Sequence, residues 1–215
     1  MPREQRRRQL IAAARNVFVD VGFHSAAMDD IAARAGVTKP VLYQHFGSKH
    51  DLYLAILDEG ARAFLATIGS ALQSTTDNEG RVTATIEAFY GFVAHDDAEY
   101  RIVFESDLVN APSVESKRHA VADECAAMIG QVIAEDTGLD DEQSQLLAHG
   151  LLGLALVSAQ RWLRGGKRIP ADQAAALTAS LAWRGISEFP LVHPRRDEAT
   201  DEAATANGGE SSSAP

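Results

Sequence analysis

The sequence predicts an all-α fold in which a three-helix N-terminal head precedes a larger helical body, about nine helices in total. Three observations predict it. Apolar residues recur at three- and four-residue spacing along most of the chain, with no strand-like alternation of any length. Glycine and proline fall between the periodic segments, at Gly22, Gly36, Pro112, Gly138, Gly165, Gly166, Pro170 and Pro190. Apolar residues make up 46% of 215 residues, enough for a sizeable core.

The first helix runs from Arg3 to Val21, with Leu10, Ala14, Val17, Phe18 and Val21 on one face and Arg6, Arg7, Arg8 and Arg15 off it. Gly22 stops it. Two short helices are expected near Met28–Ala35 and Lys39–Phe46. A long helix follows Ser48, which forms a capping box with Asp51, and continues to about Leu72. A loop at 75–78 leads to five more helices near 79–95, 97–108, 112–137, 141–164 and 171–189. Residues 191–215 are polar, small and rich in Gly, Ser and Ala; they bury too little surface to offset ordering entropy, so disorder is expected. The expected division is therefore a head over 1–47, a body over 48–190 and a tail.

Charge is distributed unevenly. The net charge of −10 argues against a polyanionic partner, but residues 1–50 hold eight Lys/Arg against four Asp/Glu, and the remainder holds twelve against twenty-six. A basic head on an acidic body suits a protein whose head meets phosphate. The single cysteine, Cys125, excludes a disulfide framework and fits a reducing cytoplasm. The basic N-terminus is followed by no apolar run of the secretory type, and the stretch Leu151–Val157 is too short to span a bilayer, so no membrane partner is expected.

Residues 28–47 read MDDIAARAGVTKPVLYQHFG. Ile31 and Leu42 lock two helices together, Ala32 lets them approach, and Val37 plugs the corner. Gly36 stands where the chain leaves the first helix and needs positive φ. Thr38 caps the next helix, and Pro40 falls in its first turn, where a missing N–H does no harm. Two helices joined by such a turn form a helix-turn-helix, whose second helix is free to enter a major groove of double-stranded DNA. Lys39 and Lys49 both stand at a helix start, where the helix dipole disfavours a cation unless a phosphate also sits there. The second helix presents Lys39, Pro40, Tyr43, Gln44 and His45; Gln44 can pair with an adenine edge, and Tyr43 and His45 suit phosphate contacts.

These residues, with the flanking FVDVGF and the run DIAARAGVTKPVLYQHFGSKHDLY, resemble the TetR family of bacterial regulators. The likeness covers about the first sixty residues, and the rest agrees in helix number and length. It implies a DNA-binding head, a linking fourth helix, a ligand-binding core and a homodimer formed by the last two helices. It also implies DNA contacts from Thr38, Lys39, Pro40, Tyr43, Gln44, His45 and Lys49. The family often carries Ser or Thr just before the second helix, whereas this chain has Ala26 and Ala27. Losing such a cap costs about 1 kcal/mol, offset in part by Asp29 and Asp30 in the first turn. More narrowly, the stretches FVDVGFHSAAMDDIA, TKPVLYQHF, STTDN and YRIVFESDLV are similar to actinobacterial regulators of fatty acid synthesis. That likeness implies a long-chain acyl-CoA effector and control of lipid genes; a family member answering another small hydrophobic ligand carries the same motifs.

The aromatic density of 85–109 suggests an apolar tunnel, with Phe89, Phe92, Val93, Phe104 and Leu108, and Trp162 from a later helix, as ligand contacts. Glu105, Ser106, Asp107 and Asn110 are candidates for a ligand's polar end. No bound cofactor is expected. Small residues mixed with leucine on the last two helices suggest a four-helix bundle across a twofold axis, built on Leu147, Leu151, Leu154, Leu177 and Leu181. The twofold would place two recognition helices about 34–36 Å apart on a palindromic operator. Against an enzyme, His95, Asp96, Asp97 and Glu99 sit at a helix junction where Asp is a normal cap, so no metal site is expected, and Cys125 reads as a buried, inert thiol. A helical module binding protein alone is disfavoured by the two lysines.

Overall fold

A computed structural model describes residues 2–95, 97–104 and 111–186. Nine helices and no strand occur among the described residues: α1 (Arg3–Ser25), α2 (Met28–Arg34), α3 (Lys39–His45), α4 (Lys49–Leu72), α5 (Asn78–His95), α6 (Asp97–Phe104), α7 (Pro112–Thr137), α8 (Asp141–Arg164) and α9 (Ala171–Ile186). Expected boundaries agree within one or two residues where they can be compared, except at the end of α1, which runs four residues past the expected Val21. The last residues of the expected sixth and ninth helices, Leu108 and its polar neighbours, and the tail lie outside the described residues.

Local chemistry sets the helix ends. Gly22, at φ 78° and ψ 161°, breaks the helical run inside α1, so the regular helix stops where expected and a short turn follows. Val21, expected on the buried face, is 51% exposed; the break at Gly22 lets it turn outward, while Leu10, Ala14, Val17 and Phe18 stay buried. Pro112 occupies the first turn of α7, and an Asp140–Gln143 capping box opens α8.

Two hydrophobic clusters organise the chain. The first joins α1, α2 and α3 to the first turns of α4 through Leu10, Phe18, Ile31, Leu42, Leu52 and Ile56, and it also takes in Ile102 of α6 and Val114 of α7. The second gathers Phe64 and Ile68 of α4 with residues of α5 to α9. In the body, α8 lies along α7 and α9 along α5, with less contact between α8 and α9. The α7–α8 approach is close at Gly130, where a Cβ would stand 2.5 Å from Gln145 Nε2. By length and average composition α8 is apolar enough to cross a membrane, a property that the short run Leu151–Val157 did not suggest. In the fold one face of α8 packs on α7, while Leu146 and Val157 remain 73% and 66% exposed.

Gly36 has φ +64°, as the turn between α2 and α3 requires, and a Cβ there would meet nothing within 4 Å. The cost of Gly36→Ala is therefore conformational rather than steric, and a loss of about 1–2 kcal/mol is expected from urea unfolding of the full chain. An unchanged midpoint would mean that the turn relaxes out of the left-handed region.

Candidate nucleic-acid interface and effector cavity

The head presents α3 outward. Leu42 is its fully buried anchor, packed with Ile31 and Ala32 of α2, and Val37 closes the corner between them. Thr38, Lys39, Pro40 and Gln44 are exposed, Tyr43 is 44% exposed and His45 is half-buried beside Phe46. All but Lys49 of the expected DNA-contacting set therefore lie on or at the start of one short helix that its own subunit leaves uncovered. Thr38 stands at the N-cap as expected, but its side chain makes no capping hydrogen bond. Ala27 likewise caps α2 without a side-chain bond, as the sequence implied.

The two lysines differ from the expectation and from each other. Lys39 Nζ lies 3.0 Å from Asp29 Oδ1, and this hydrogen-bonded ion pair raises the lysine's pKa. Both partners are about half exposed or more, so the pair adds little stability and can be exchanged for another anion at small cost. Lys49 is engaged within the head. Its Nζ donates to the carbonyls of Phe23, Ala26 and His24 at 2.7, 2.8 and 3.3 Å, and it stands 4.5 Å above the Phe23 ring. The cation that looked misplaced at the start of α4 is well placed at the end of α1, where it satisfies backbone acceptors that the helix leaves open. Its charge is spent inside the head, and no phosphate is needed to explain it. The capping box at Ser48 is also half formed: Ser48 Oγ accepts from Asp51 N and donates to Asp51 Oδ2.

Sequence reading missed two residues beside this surface. Arg3 and Arg6 of α1 line a shallow groove with Val41, Gln44 and His45, which brings the basic start of the chain alongside α3. The run RRR at 6–8 was the available signal, but its place against α3 depends on tertiary packing.

The body encloses a cavity of about 350 Å³ between α4, α5, α7, α8 and α9. Each wall is a helical stripe: Phe64, Ile68 and Leu72 on α4; Arg81, Val82, Thr85, Ile86 and Phe89 on α5; Cys125, Ile129, Val132, Ile133 and Asp136 on α7. Of the expected ligand contacts, Phe89 lines it. Phe92, Val93, Phe104 and Trp162 do not; they belong to the neighbouring aromatic core, where Phe64 meets Phe92 at 5.5 Å and Phe104 at 4.9 Å, and Trp162 meets Tyr90 at 5.6 Å. On α5 the reason is position along the axis: residues 78, 81, 82, 85, 86 and 89 form one face, Phe92 and Val93 continue that face one turn beyond the residues that line the cavity, and Tyr90 points elsewhere. Leu147, Leu151 and Leu154, expected at a dimer interface, line the cavity and are partly exposed. Leu181 lines it while 62% exposed, and Leu177 is 59% exposed outside it. Leu146 and Val157 are exposed apolar residues that the reading overlooked.

Cys125 is 1% exposed, and burial pushes its thiol up to about 12, so it stays protonated and inert as a nucleophile. Asp96 and the side chains of Asp97 and Glu99 lie outside the described residues; no acid, His and Cys grouping able to hold a metal occurs among the described residues.

A head of this construction on a hollow helical body defines a helix-turn-helix regulator, and the chain belongs to the TetR family. The family model described as bacterial regulatory proteins, tetR family, matches residues 10–56. The chain is 43% identical over 192 residues to the HTH-type transcriptional activator FasR of Mycolicibacterium smegmatis, covering 89% of this chain and 88% of that one. It is 31% identical over 166 residues to the HTH-type transcriptional regulator BetI of Vibrio campbellii, covering 75% and 81%. Among solved structures, a TetR-like transcriptional regulator from Rhodococcus sp. RHA1 superimposes with a TM-score of 0.73 at 29% identity, over 87% of this chain and 99% of that one. The regulator FadR of Bacillus subtilis, in complex with stearoyl-CoA, shares the fold with a TM-score of 0.70 at 16% identity, over 81% and 96%.

Replacing Lys49 by Met keeps the stem on Phe23 but leaves three carbonyls without their donor. Lys49→Met is expected to lower stability by about 1–3 kcal/mol in thermal unfolding. It is expected to leave the salt dependence of DNA binding unchanged; a shallower salt slope at unchanged stability would return Lys49 to the DNA surface.

Proposed function

We propose that this protein is a dimeric transcriptional regulator that grips a palindromic operator through α3 and answers a long-chain acyl effector held in the body, as part of the control of lipid metabolism. The observation that carries the reading is the pairing of an uncovered recognition helix with an apolar cavity along a single helix, α4. Residues 1–47 act as the DNA-binding unit, and residues 48–190 bind the effector and the partner subunit. Gln44 reads a base edge; Thr38, Lys39, Pro40, Tyr43 and His45 position the helix on the backbone, and Arg3 and Arg6 extend that basic surface. The ion pair of Lys39 with Asp29 opens at little cost when a phosphate replaces the carboxylate.

The acyl effector is supported by the nearly all-apolar wall of the cavity and by the fold shared with FadR of Bacillus subtilis, which is solved in complex with stearoyl-CoA. The dimer is supported by the outward faces of α8 and α9. Leu146, Val157, Leu177 and Leu181 are more than half exposed, and a Cβ on Gly150, Gly153 or Gly185 would meet nothing within 4 Å, so these small residues serve no packing inside the subunit. The effector acts by tilting α4 and so changing the spacing of the two heads; it shifts operator binding only by its different affinity for the tilted and untilted states, and operator DNA must change effector affinity by the same factor.

Two measurements test this. In retardation assays on DNA from the gene's own promoter across a salt series, Lys39→Met should flatten the log–log slope by about one per subunit, while Gln44→Ala should relax preference at one base pair per half-site, worth about 1–3 kcal/mol. Identical effects of the two substitutions on all sequences would sink the role assignments. Separately, Leu177→Glu with Val157→Glu, both clear of the cavity lining, should weaken self-association at least about tenfold in analytical ultracentrifugation. An unchanged dimer would place the interface elsewhere.

A further inference from the structure

Arg81 and Asp136 are the charged residues among those that line the mostly apolar cavity, whose other polar side chains include Asn78, Thr85 and Thr137. Arg81 stands in the first turns of α5 and Asp136 near the end of α7. The guanidinium is held at two of its nitrogens: Nε donates to Thr75 O at 3.2 Å, and Nη1 donates to Asn78 Oδ1 at 3.2 Å and to Asp136 Oδ2 at 2.5 Å. A guanidinium carries five N–H donors. Three are used here, and the two on Nη2 make no hydrogen bond among the described residues. The side chains of Arg81 and Asp136 are 14% and 26% exposed, sheltered from water yet not sealed from the cavity.

We infer that Arg81 is the head-group contact of the cavity, donating from Nη2 to the carbonyl oxygen of an acyl chain, and that Asp136 sets which head groups it accepts. The inference rests on the reading of the cavity as an effector site. Because three partners hold the guanidinium in place, an arriving oxygen meets a preordered donor and the complex loses little side-chain entropy. The apolar walls take the chain, so the ligand class is a long hydrocarbon ending in an oxygen acceptor. Two sources share that chemistry, an uncharged acyl thioester or ester and a free fatty acid. Asp136 distinguishes them by charge. It already neutralises Arg81, so a carboxylate would have to share the same cation with a second anion after giving up its own hydration. An uncharged carbonyl meets neither cost and is the preferred head group.

The test uses the full chain loaded with Nile red, an uncharged fluorescent probe, and displaces it with hexadecane, hexadecanoic acid and the N-acetylcysteamine thioester of that acid. The wild-type protein should favour the thioester over the acid. Arg81→Met should weaken the thioester by about tenfold and leave hexadecane unchanged. The isosteric Asp136→Asn should reverse the order, bringing the acid level with the thioester or above it. Unchanged order in both variants, with hexadecane still bound, would reduce the ion pair to a structural tie and overturn the inference while sparing the effector cavity. Should Arg81→Met lose hexadecane as well, its cavity has collapsed, and Asp136→Asn alone decides: an unaltered order there overturns the inference. Failure of every probe to displace dye from the wild-type protein would remove the effector site itself, and this inference with it.

Discussion

Helix α4 spends its first turns in one hydrophobic core and its later turns in another. Leu52, Tyr53, Ile56 and Leu57 are buried with the head, and Phe64 and Ile68 are buried with the body. Its 24 residues make a rod about 36 Å long. A helix shared by two cores cannot tilt in one without disturbing the other, because its buried side chains belong to both. The head core is also not closed by the head alone: Ile102 of α6 and Val114 of α7 enter it from the body. The joint between head and body is therefore a packed interface, with α4 as its axis, rather than a flexible linker.

Electrostatics in the head follow from where α1 ends. Gly22 turns the chain out of the helix, leaving the carbonyls of Phe23, His24 and Ala26 near one another, and Lys49 closes over them from the start of α4. Phe18, Phe23 and Tyr53 cluster around the same point with ring centroids 5.3–5.5 Å apart, Tyr53 edge-on to both phenylalanines and the two phenylalanines tilted. The turn is thus pinned by an ammonium and three rings together. This local rigidity holds α2 and α3 at a fixed angle to α4. The exposed pair of Lys39 and Asp29 is a contrast in the same small domain. A half-buried cation bonded to backbone carbonyls serves the fold, whereas an exposed one remains available to an outside anion.

How much of this could be read beforehand depended on the range of the interactions. The helix-turn-helix was legible residue by residue because Ile31, Ala32, Gly36, Val37 and Leu42 act over a few positions, and all five stand where local geometry requires. The helix ends were legible for the same reason. The cavity was not. Aromatic density marked the right region, but only the placement of α7 and the reach of the cavity along α5 decide that Phe89 lines the void while Phe92, Val93, Phe104 and Trp162 lie beyond it in the aromatic core. Lys49 misled because its partners lie 23 to 26 residues away, across a turn whose shape the sequence did not disclose. Arg81 and Asp136, 55 residues apart, could be paired only once α5 and α7 were side by side.

The same limit explains why α8 was assigned a single role. Its leucines at 147, 151 and 154 look like one apolar seam, yet they face the cavity, and a second apolar face at Leu146 and Val157 looks outward. A helix apolar on both sides is ordinarily covered on both. Leu146 and Leu181 line the cavity and are exposed at the same time, so the wall of the cavity is in part the outer surface of α8 and α9. Whatever covers that surface also completes the cavity, and whatever fills the cavity presses on the side chains that meet the cover.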